Sequence, residues 1–335
     1  MDFNPFASVS VIGAGAWGTA LAHLCASNGV ETLIWSREPE VAATIANRCE
    51  NEMYLPGESL HPALRATAKL SETVSSEAFL FVTPAQYARP VLSELHHFAS
   101  EKAPVALCSK GVEVKTGLLM TEVMADVWPG ARPAVLSGPS FARDVVRGLP
   151  TAVTLACAEA ALAQRWAATL GAAHFRPYLS DDLVGAELGG AVKNVLAIAA
   201  GVVDGRGLGE SARAALIARG FAEFQRLGVA LGAKTQTMAG LSGLGDLILT
   251  ANSPHSRNMS LGVELGKGRV MEDVLSERSS VSEGVATAGA VMALAQKAGV
   301  DMPICQAVAK LVAGSHSVDA LIADLLARPI KPETK

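Results

Sequence analysis

Aromatic side chains are scarce in this chain of 335 residues: Phe, Trp and Tyr together make up 5%. Alanine and glycine are abundant instead, which points to a core built by close approach of helices and backbone rather than by rings. A basic excess is also missing. The 28 Lys and Arg are outnumbered by 32 Asp and Glu, leaving a net charge of −4 and a pI near 6. That balance excludes a general nucleic-acid binder, whose affinity rests on a basic face. An anionic substrate would therefore need a local cationic site. The five cysteines (Cys25, Cys49, Cys108, Cys157 and Cys305) include no C-x-x-C pair and no metal spacing with histidine. They read as reduced, small core residues of a cytosolic protein, with no metal site expected. Two apolar stretches invite a targeting or membrane reading, and both lack a requirement for it. "VSVIGAGAWGTALAHLCA" has no basic segment before it, and residues 183–203 carry Glu187, Lys193 and Asn194. A soluble cytoplasmic protein without an integral membrane segment is expected. Internal repeats and low-complexity tracts are absent from the sequence.

What is present is a globular composition, 50% hydrophobic and 18% charged, on a chain long enough for two domains. From residue 8 to 180, short apolar runs alternate with helical patterns. "SVSVIG", "VETLIW", "AFLFVTP", "APVALCSKG", "RPAVLSG" and "PTAVTLAC" read as strands, and a helix over 17–28 closed by Gly29 follows the first. Such alternation predicts an α/β domain: a doubly wound, mostly parallel Rossmann sheet with helices on both faces. At Ser180 the texture changes. Ser180-Asp181-Asp182 reads as an N-cap with acidic first-turn residues. Helical patterns then cover about 181–204, 211–231, 254–266, 283–298, 303–313 and 317–328. The expected organisation is a dinucleotide-binding domain over 1–185 and an all-α substrate and catalytic domain over 186–330.

"VIGAGAWG" supplies Gly13-x-Gly15-x-x-Gly18 directly after a β-branched strand and at the opening of a helix, the context the dinucleotide fingerprint requires. Gly13 permits the tight turn, Gly15 lets backbone approach a pyrophosphate, and Gly18 lets helix and strand pack closely. The helix N-terminus offers free N–H groups to the anion. About 20 residues on, where a NAD site places an acid for the ribose hydroxyls, the sequence reads Ser36-Arg37, with Glu38 one step later. An arginine there suits a 2′-phosphate, so NADPH, or tolerance of both NADPH and NADH, is expected.

In open α/β sheets ligands bind beyond the carboxyl ends of the strands. Those ends read Thr83-Pro84, Ser109-Lys110-Gly111 and Ser137-Gly138-Pro139-Ser140. Lys110 is the cation among them, and the "GPS" turn offers backbone N–H groups from Gly138 and Ser140. In the helical half, Lys193 and Asn194 interrupt "LGGAVKNVLAIAAG", and Asp246 sits in "LGDLILT" after three glycines. A buried acid needs a partner, and Lys193 is the expected one. Ser256-Arg257-Asn258 sets three phosphate-competent donors side by side.

"VIGAGAWGTALA", "NEMYLPG", "SKGVEVKTG", "SGPSFA", "LGGAVKNVLAIAAGVVDG", "GLGDLILT", "SRN" and "MPI", in this order and spacing, resemble the bacterial NAD(P)-dependent glycerol-3-phosphate dehydrogenases over nearly the full chain. The resemblance implies interconversion of dihydroxyacetone phosphate and sn-glycerol 3-phosphate, an oxidoreductase role supplying glycerophospholipid synthesis, and a homodimer. It implies that Lys193 is the catalytic proton donor and acceptor, held by Asp246, with Asn194 orienting the substrate hydroxyls or Lys193 itself. Lys110, Gly138, Ser140, Lys193, Asp246, Ser256, Arg257 and Asn258 are then the substrate-site residues. Gly13, Gly15, Trp17, Gly18, Arg37, Lys110, Ala142, Arg257, Val281 and Glu283 are the cofactor contacts. Three positions depart from the family pattern: Ala16 and Ala85 stand where serine is usual, and Ser282 breaks a "VVEG"-like run. Two other readings share parts of this pattern. One is a dehydrogenase acting on a β-hydroxy acid or an opine, and the other is a regulatory protein that binds NADPH without turnover.

Overall fold

The computed structural model describes residues 4–278, 283–330 and 332. It divides into two compact units, residues 1–190 with 232–246 and residues 191–231 with 247–335.

The first unit is built on strands β1 (Ser8–Ile12), β2 (Glu31–Trp35), β3 (Glu50–Asn51), β4 (Leu55–Ser59), β5 (Arg65–Thr67), β6 (Ala78–Phe81), β7 (Pro104–Leu107), β8 (Arg132–Ser137), β9 (Thr151–Ala156) and β10 (Phe175–Ser180). Eight of them form one sheet in the order β10-β9-β8-β7-β6-β1-β2-β5, parallel except where β9 runs against β8, while β3 and β4 pair as a separate hairpin. Helices α1 (Ala16–Ser27), α2 (Pro39–Arg48), α3 (Ala88–His96), α4 (Met120–Val127), α5 (Ala142–Val146) and α6 (Ala160–Leu170) intervene. Along β6, Ala78 and Leu80 join one apolar cluster with α1 and α6, and Phe79 and Phe81 join another with α3 and α4. A strand buried on both faces reads as an unbroken apolar run, which is why "AFLF" shows no alternation. This is the expected doubly wound Rossmann sheet. Chain order reverses between β1 and β6, the crevice where such sheets bind ligands.

All six expected strands form. β10 is an addition. Its "FRPYLS" carries Arg and Pro and is largely exposed, as an edge strand permits. The cap expected at Ser180 is displaced by two residues: Ser180 ends β10, and Asp182 Oδ1 accepts the Gly185 N–H at 2.9 Å.

The second unit is helical throughout its described residues. Helix α7 (Leu183–Gly205) begins in the first unit and enters the second between residues 190 and 191. Then come α8 (Glu210–Ala230), α9 (Thr235–Ala239, in the first unit), α10 (Asp246–Asn252), α11 (Arg257–Gly266), α12 (Met271–Ser276), α13 (Glu283–Lys297), α14 (Pro303–Val312) and α15 (Val318–Leu326). By length and composition α7 is capable of crossing a membrane, but its apolar window is entirely buried inside the protein. Its glycines explain the closeness of packing. A methyl group at Gly201 or Gly205 would run into the Met259 or Val263 carbonyl of α11, and one at Gly262 or Gly266 would run into the Ile198 or Val202 carbonyl of α7. Two glycine pairs, each spaced by four, bring these helices together backbone to backbone.

Candidate active site

The glycine turn after β1 is fixed by contacts that a side chain would break. Gly13 has φ +119°, its N–H donates to Trp35 O at 3.1 Å, and a methyl group there would press on Val82 and Thr83 at 3.1 Å. A methyl on Gly18 would strike the Gly13 carbonyl. Gly15 differs, since nothing lies within 4 Å of where its side chain would begin. It is the N-cap of α1 and provides no side-chain cap, so the first N–H groups of a helix of 12 residues are left to another acceptor. Open space at Gly15 over an uncapped helix start fits the pyrophosphate of a dinucleotide. The Trp17 indole N–H is buried next to this turn and has no hydrogen-bond partner. Ala142 opens α5 and is half-buried.

At the end of β2, Arg37 is exposed. Its guanidinium lies over the Tyr87 ring at 5.7 Å and pairs with Glu38 Oε1 at 3.1 Å. Asn51, buried in the β3–β4 hairpin, donates to Ala14 O at 2.9 Å and to Thr19 Oγ1 at 2.7 Å, and accepts the Tyr54 N–H at 3.1 Å. It therefore ties "NEMYLPG" to the glycine turn.

The expected strand-end groups converge within the first unit. Thr83 Oγ1 donates to Ile12 O at 3.1 Å, and Ser109 Oγ donates to Thr83 O. Lys110 Nζ donates to Asp246 Oδ2 at 2.9 Å and to Gly138 O at 3.4 Å, and Ser140 Oγ donates to the same carbonyl at 3.1 Å. Asp246 is only 1% exposed. A pair this well buried is costly to break, because removing one partner strands the other charge. Lys110, from 136 residues away, is a partner of Asp246 that no sequence pattern named.

Asp246 follows a π-helical turn, Leu241–Gly245, in which Gly245 N donates to Gly240 O at 3.0 Å. Such single turns often mark functional sites. The first turns of α7 pack on this segment. A methyl on Gly189 would meet the Ser242 carbonyl, and one on Gly190 would lie 3.0 Å from the Lys110 side chain and 3.4 Å from Ser137 Oγ. The hydroxyls of Ser137 and Ser242 are buried without a hydrogen-bond partner. Also on α7, Glu187 is fully buried and accepts from the Thr121 N–H at 2.9 Å and from Thr121 Oγ1 at 2.6 Å. Burial outweighs these bonds and pushes its carboxyl up to about 7.

In the second unit, Lys193 is buried at 8% exposure and its Nζ donates to Thr250 Oγ1 at 3.1 Å. Asn194 Oδ1 accepts from Asn258 Nδ2 at 2.9 Å, and Asn258 Oδ1 accepts the Gly284 N–H at 3.1 Å. One amide thus joins α7, α11 and the start of α13. Ser256 caps α11, accepting the Met259 N–H at 3.2 Å, and Arg257 is the exposed first residue of that helix. Glu283 is the half-buried first residue of α13, while Val281 and Ser282 lie outside the described residues.

Tyr54, Tyr87, Asn51, Thr250 and Glu187 were not singled out as site residues from the sequence. "NEMYLPG" was the available signal for the first and third. Thr250, four residues after Asp246, was the available signal in α10. Among the described residues no group of three or more His, Cys, Asp or Glu is placed to hold a metal ion, and all five cysteines are free.

Residues 8–163 match the family described as NAD-dependent glycerol-3-phosphate dehydrogenase N-terminus, and residues 182–323 match the corresponding C-terminus family. The chain is 56% identical over 329 residues to glycerol-3-phosphate dehydrogenase [NAD(P)+] of Parvibaculum lavamentivorans, covering 98% of this chain and 99% of that one. It is 55% identical over 328 residues to the Caulobacter vibrioides protein of the same description, covering 98% and 99%. Among solved structures it resembles glycerol-3-phosphate dehydrogenase from Coxiella burnetii, with 35% identity, a TM-score of 0.93, and coverage of 97% of this chain and 99% of that one.

Proposed function

Because the chain belongs to the NAD-dependent glycerol-3-phosphate dehydrogenase family, we propose that it catalyses the reversible NAD(P)H-dependent reduction of dihydroxyacetone phosphate to sn-glycerol 3-phosphate. The observation that carries this reading is the buried ammonium of Lys193 on Thr250 Oγ1, in a helix made mostly of apolar and small residues. A desolvated lysine that retains a polar partner is suited to proton transfer.

When bound, the reduced nicotinamide supplies a hydride to the carbonyl carbon. Lys193 stabilises the charge that develops on the carbonyl oxygen and delivers the proton, and in the reverse direction takes it back. Asp246 anchors Lys110 at the strand ends, which keeps that cation extended towards an anionic substrate. In the same proposal Asp246 also holds Lys193 in place. Asn194 is held by Asn258 and orients the substrate hydroxyls or the Lys193 ammonium. Ser256, Arg257 and Asn258, at the N-terminus of α11, grip the phosphate, and this fixes the carbonyl for attack. Gly138 and Ser140 complete the substrate side. Gly13, Gly15, Gly18, Trp17, Arg37, Lys110, Ala142, Arg257, Val281 and Glu283 contact the dinucleotide.

The same proposal assigns dinucleotide binding to residues 1–185 and substrate binding to 186–330. It also places the protein in the cytoplasm as a homodimer that feeds glycerophospholipid synthesis. Support comes from the relatives, which match over nearly their whole length, and from five free cysteines. The test is NADPH oxidation with dihydroxyacetone phosphate, unphosphorylated dihydroxyacetone and β-keto acids. Turnover confined to the phosphate ester is expected. Turnover of a β-keto acid instead, or of none of the three, overturns the assignment.

A further inference from the structure

We infer that Gln86 and Arg89 are positioning residues of the reaction: together they hold the loop that follows Lys110, and through it they set where the Lys110 ammonium stands for the substrate. The inference rests on the reductase reading above and deepens it.

Lys110 lies where the chain cannot place itself. The next residue is Gly111, at φ +154°, which has no side chain to anchor it and a backbone conformation that other residues rarely adopt. Beyond it, residues 112–119 fold back on one another. Val112 bridges Leu119, the Glu113 N–H donates to Leu118 O at 2.9 Å, and the Gly117 N–H donates to Glu113 O at 2.8 Å. These bonds tie the loop to itself rather than to the sheet.

The tie to the sheet comes from the segment after β6. Gln86, in a 3₁₀ turn over Ala85–Tyr87, donates from Nε2 to Val112 O at 2.8 Å and accepts the Val114 N–H on Oε1 at 3.0 Å. One side-chain amide thus acts as a neighbouring strand would, bonding an acceptor and a donor two residues apart. Arg89, in the first turn of α3, closes on the residue between them. Its Nε donates to Glu113 Oε1 at 2.9 Å, its Nη2 donates to Glu113 Oε2 at 2.9 Å, and its Nη1 donates to Asp126 of α4. Thr116 Oγ1 adds a further bond to Glu113 at 2.6 Å. Glu113 is 6% exposed, and the Arg89 bonds hold its carboxyl below the usual carboxylate range, so the pair is intact at neutral pH. A buried bidentate pair is hard to release, because either partner alone is left an uncompensated charge.

The other contacts of Lys110 are at its side chain. Nζ donates to Asp246 Oδ2 and Gly138 O, and the stem lies where a methyl on Gly190 would press on it. The ammonium is thus set from two ends: by Asp246 at its tip, and by Gln86 and Arg89 through its backbone. Neither Gln86 nor Arg89 needs to touch the substrate. A displacement of about 1 Å in a group that orients a substrate can cost about 10²-fold in rate, so the loop's anchor matters at a distance.

The test is steady-state kinetics of the full chain with NADPH and dihydroxyacetone phosphate. NADPH affinity is measured beside it by fluorescence titration, and amide hydrogen exchange is followed over residues 109–116. Gln86→Met keeps the bulk of the side chain and removes both bonds. It is expected to speed exchange in that segment and to raise the KM for dihydroxyacetone phosphate by about tenfold, the scale of two lost hydrogen bonds. NADPH, held mainly at the glycine turn, should bind as before. Arg89→Lys keeps a charge without the fork, and should move exchange and KM in the same direction by less. A purely structural role would instead lower kcat or NADPH affinity and leave the KM for the phosphate ester unchanged. That result, or faster exchange with unaltered kinetics, or unaltered exchange, overturns the inference. Failure of the unaltered protein to reduce dihydroxyacetone phosphate is a different result, and overturns the reductase reading itself.

Discussion

Gly13, Gly15 and Gly18 sit around a turn, whereas Gly189, Gly190, Gly201 and Gly205 sit inside one helix. The turn glycines serve backbone shape and ligand access: Gly13 adopts φ +119°, and Gly15 leaves open space over a helix start. The helix glycines adopt ordinary helical backbone, where glycine costs about 1 kcal/mol relative to alanine. Their benefit is the approach of another backbone or of the Lys110 stem. Polar groups divide in the same way. At the strand ends they work from turns, while Glu187, Lys193 and Asn194 work from within an apolar helix. A glycine turn and a packed helix use the same residue type for opposite purposes, and substitutions should separate the two.

The largest expected effect removes the helix-borne chemistry alone. Lys193→Ala should lower kcat by at least about 10²-fold, the scale of positioned acid–base catalysis. NADPH affinity, which depends on the turn, should stay near that of the unaltered protein in a fluorescence titration. A near-normal kcat would remove Lys193 from the mechanism.

The next effect is on stability and pH, again from a group inside α7. Glu187 titrates near 7 when folded and near 4.5 when unfolded. Between those values the folded protein keeps a proton that the unfolded chain has released. Its contribution is therefore full below about pH 4.5 and is lost as pH rises towards 7, by about 3 kcal/mol. Glu187→Gln retains a donor and an acceptor for Thr121 without the titration. Urea unfolding at pH 5 and pH 7.5 should show the variant losing less stability across that interval. Parallel losses in both proteins would mean that the carboxyl is already ionised at pH 5.

The smallest effect makes the glycine contrast direct. Gly201→Ala should cost about 2 kcal/mol, because overpacking against a carbonyl exceeds the gain in helix propensity, and cofactor affinity should be unaffected. Gly15→Ala should do the reverse, with an unchanged melting temperature and NADPH binding weaker by about tenfold as the methyl enters the pyrophosphate path. Equal effects of both changes on melting temperature would erase the distinction.

The six main strands and most of the long helices were legible because their apolar runs are long and bounded by clear turn signals. β10 was not, since Arg176 and Pro177 suit only an exposed edge. α9, α10 and α12 were missed because five to seven residues cannot show a helical period. In the site, the fingerprint and the strand-end lysine were visible as local patterns. The Lys110–Asp246 pair was not, because no local rule joins residues 136 apart in sequence. Asn258 shows the remaining gap. Sequence marked it as a phosphate donor, while its amide also links Asn194 to Gly284, a role set only by the packing of three helices.

The paired glycines of α7 and α11 carry a genetic consequence. A single-base change in a glycine codon that alters the residue always introduces a side chain. At Gly201, Gly205, Gly262 and Gly266 that side chain meets an opposing carbonyl. None of these four positions has a harmless neighbour in the genetic code, so the seam between the two helices can change only by compensating substitutions elsewhere. Surface loops drift in sequence more freely, and this seam is where drift is stopped first.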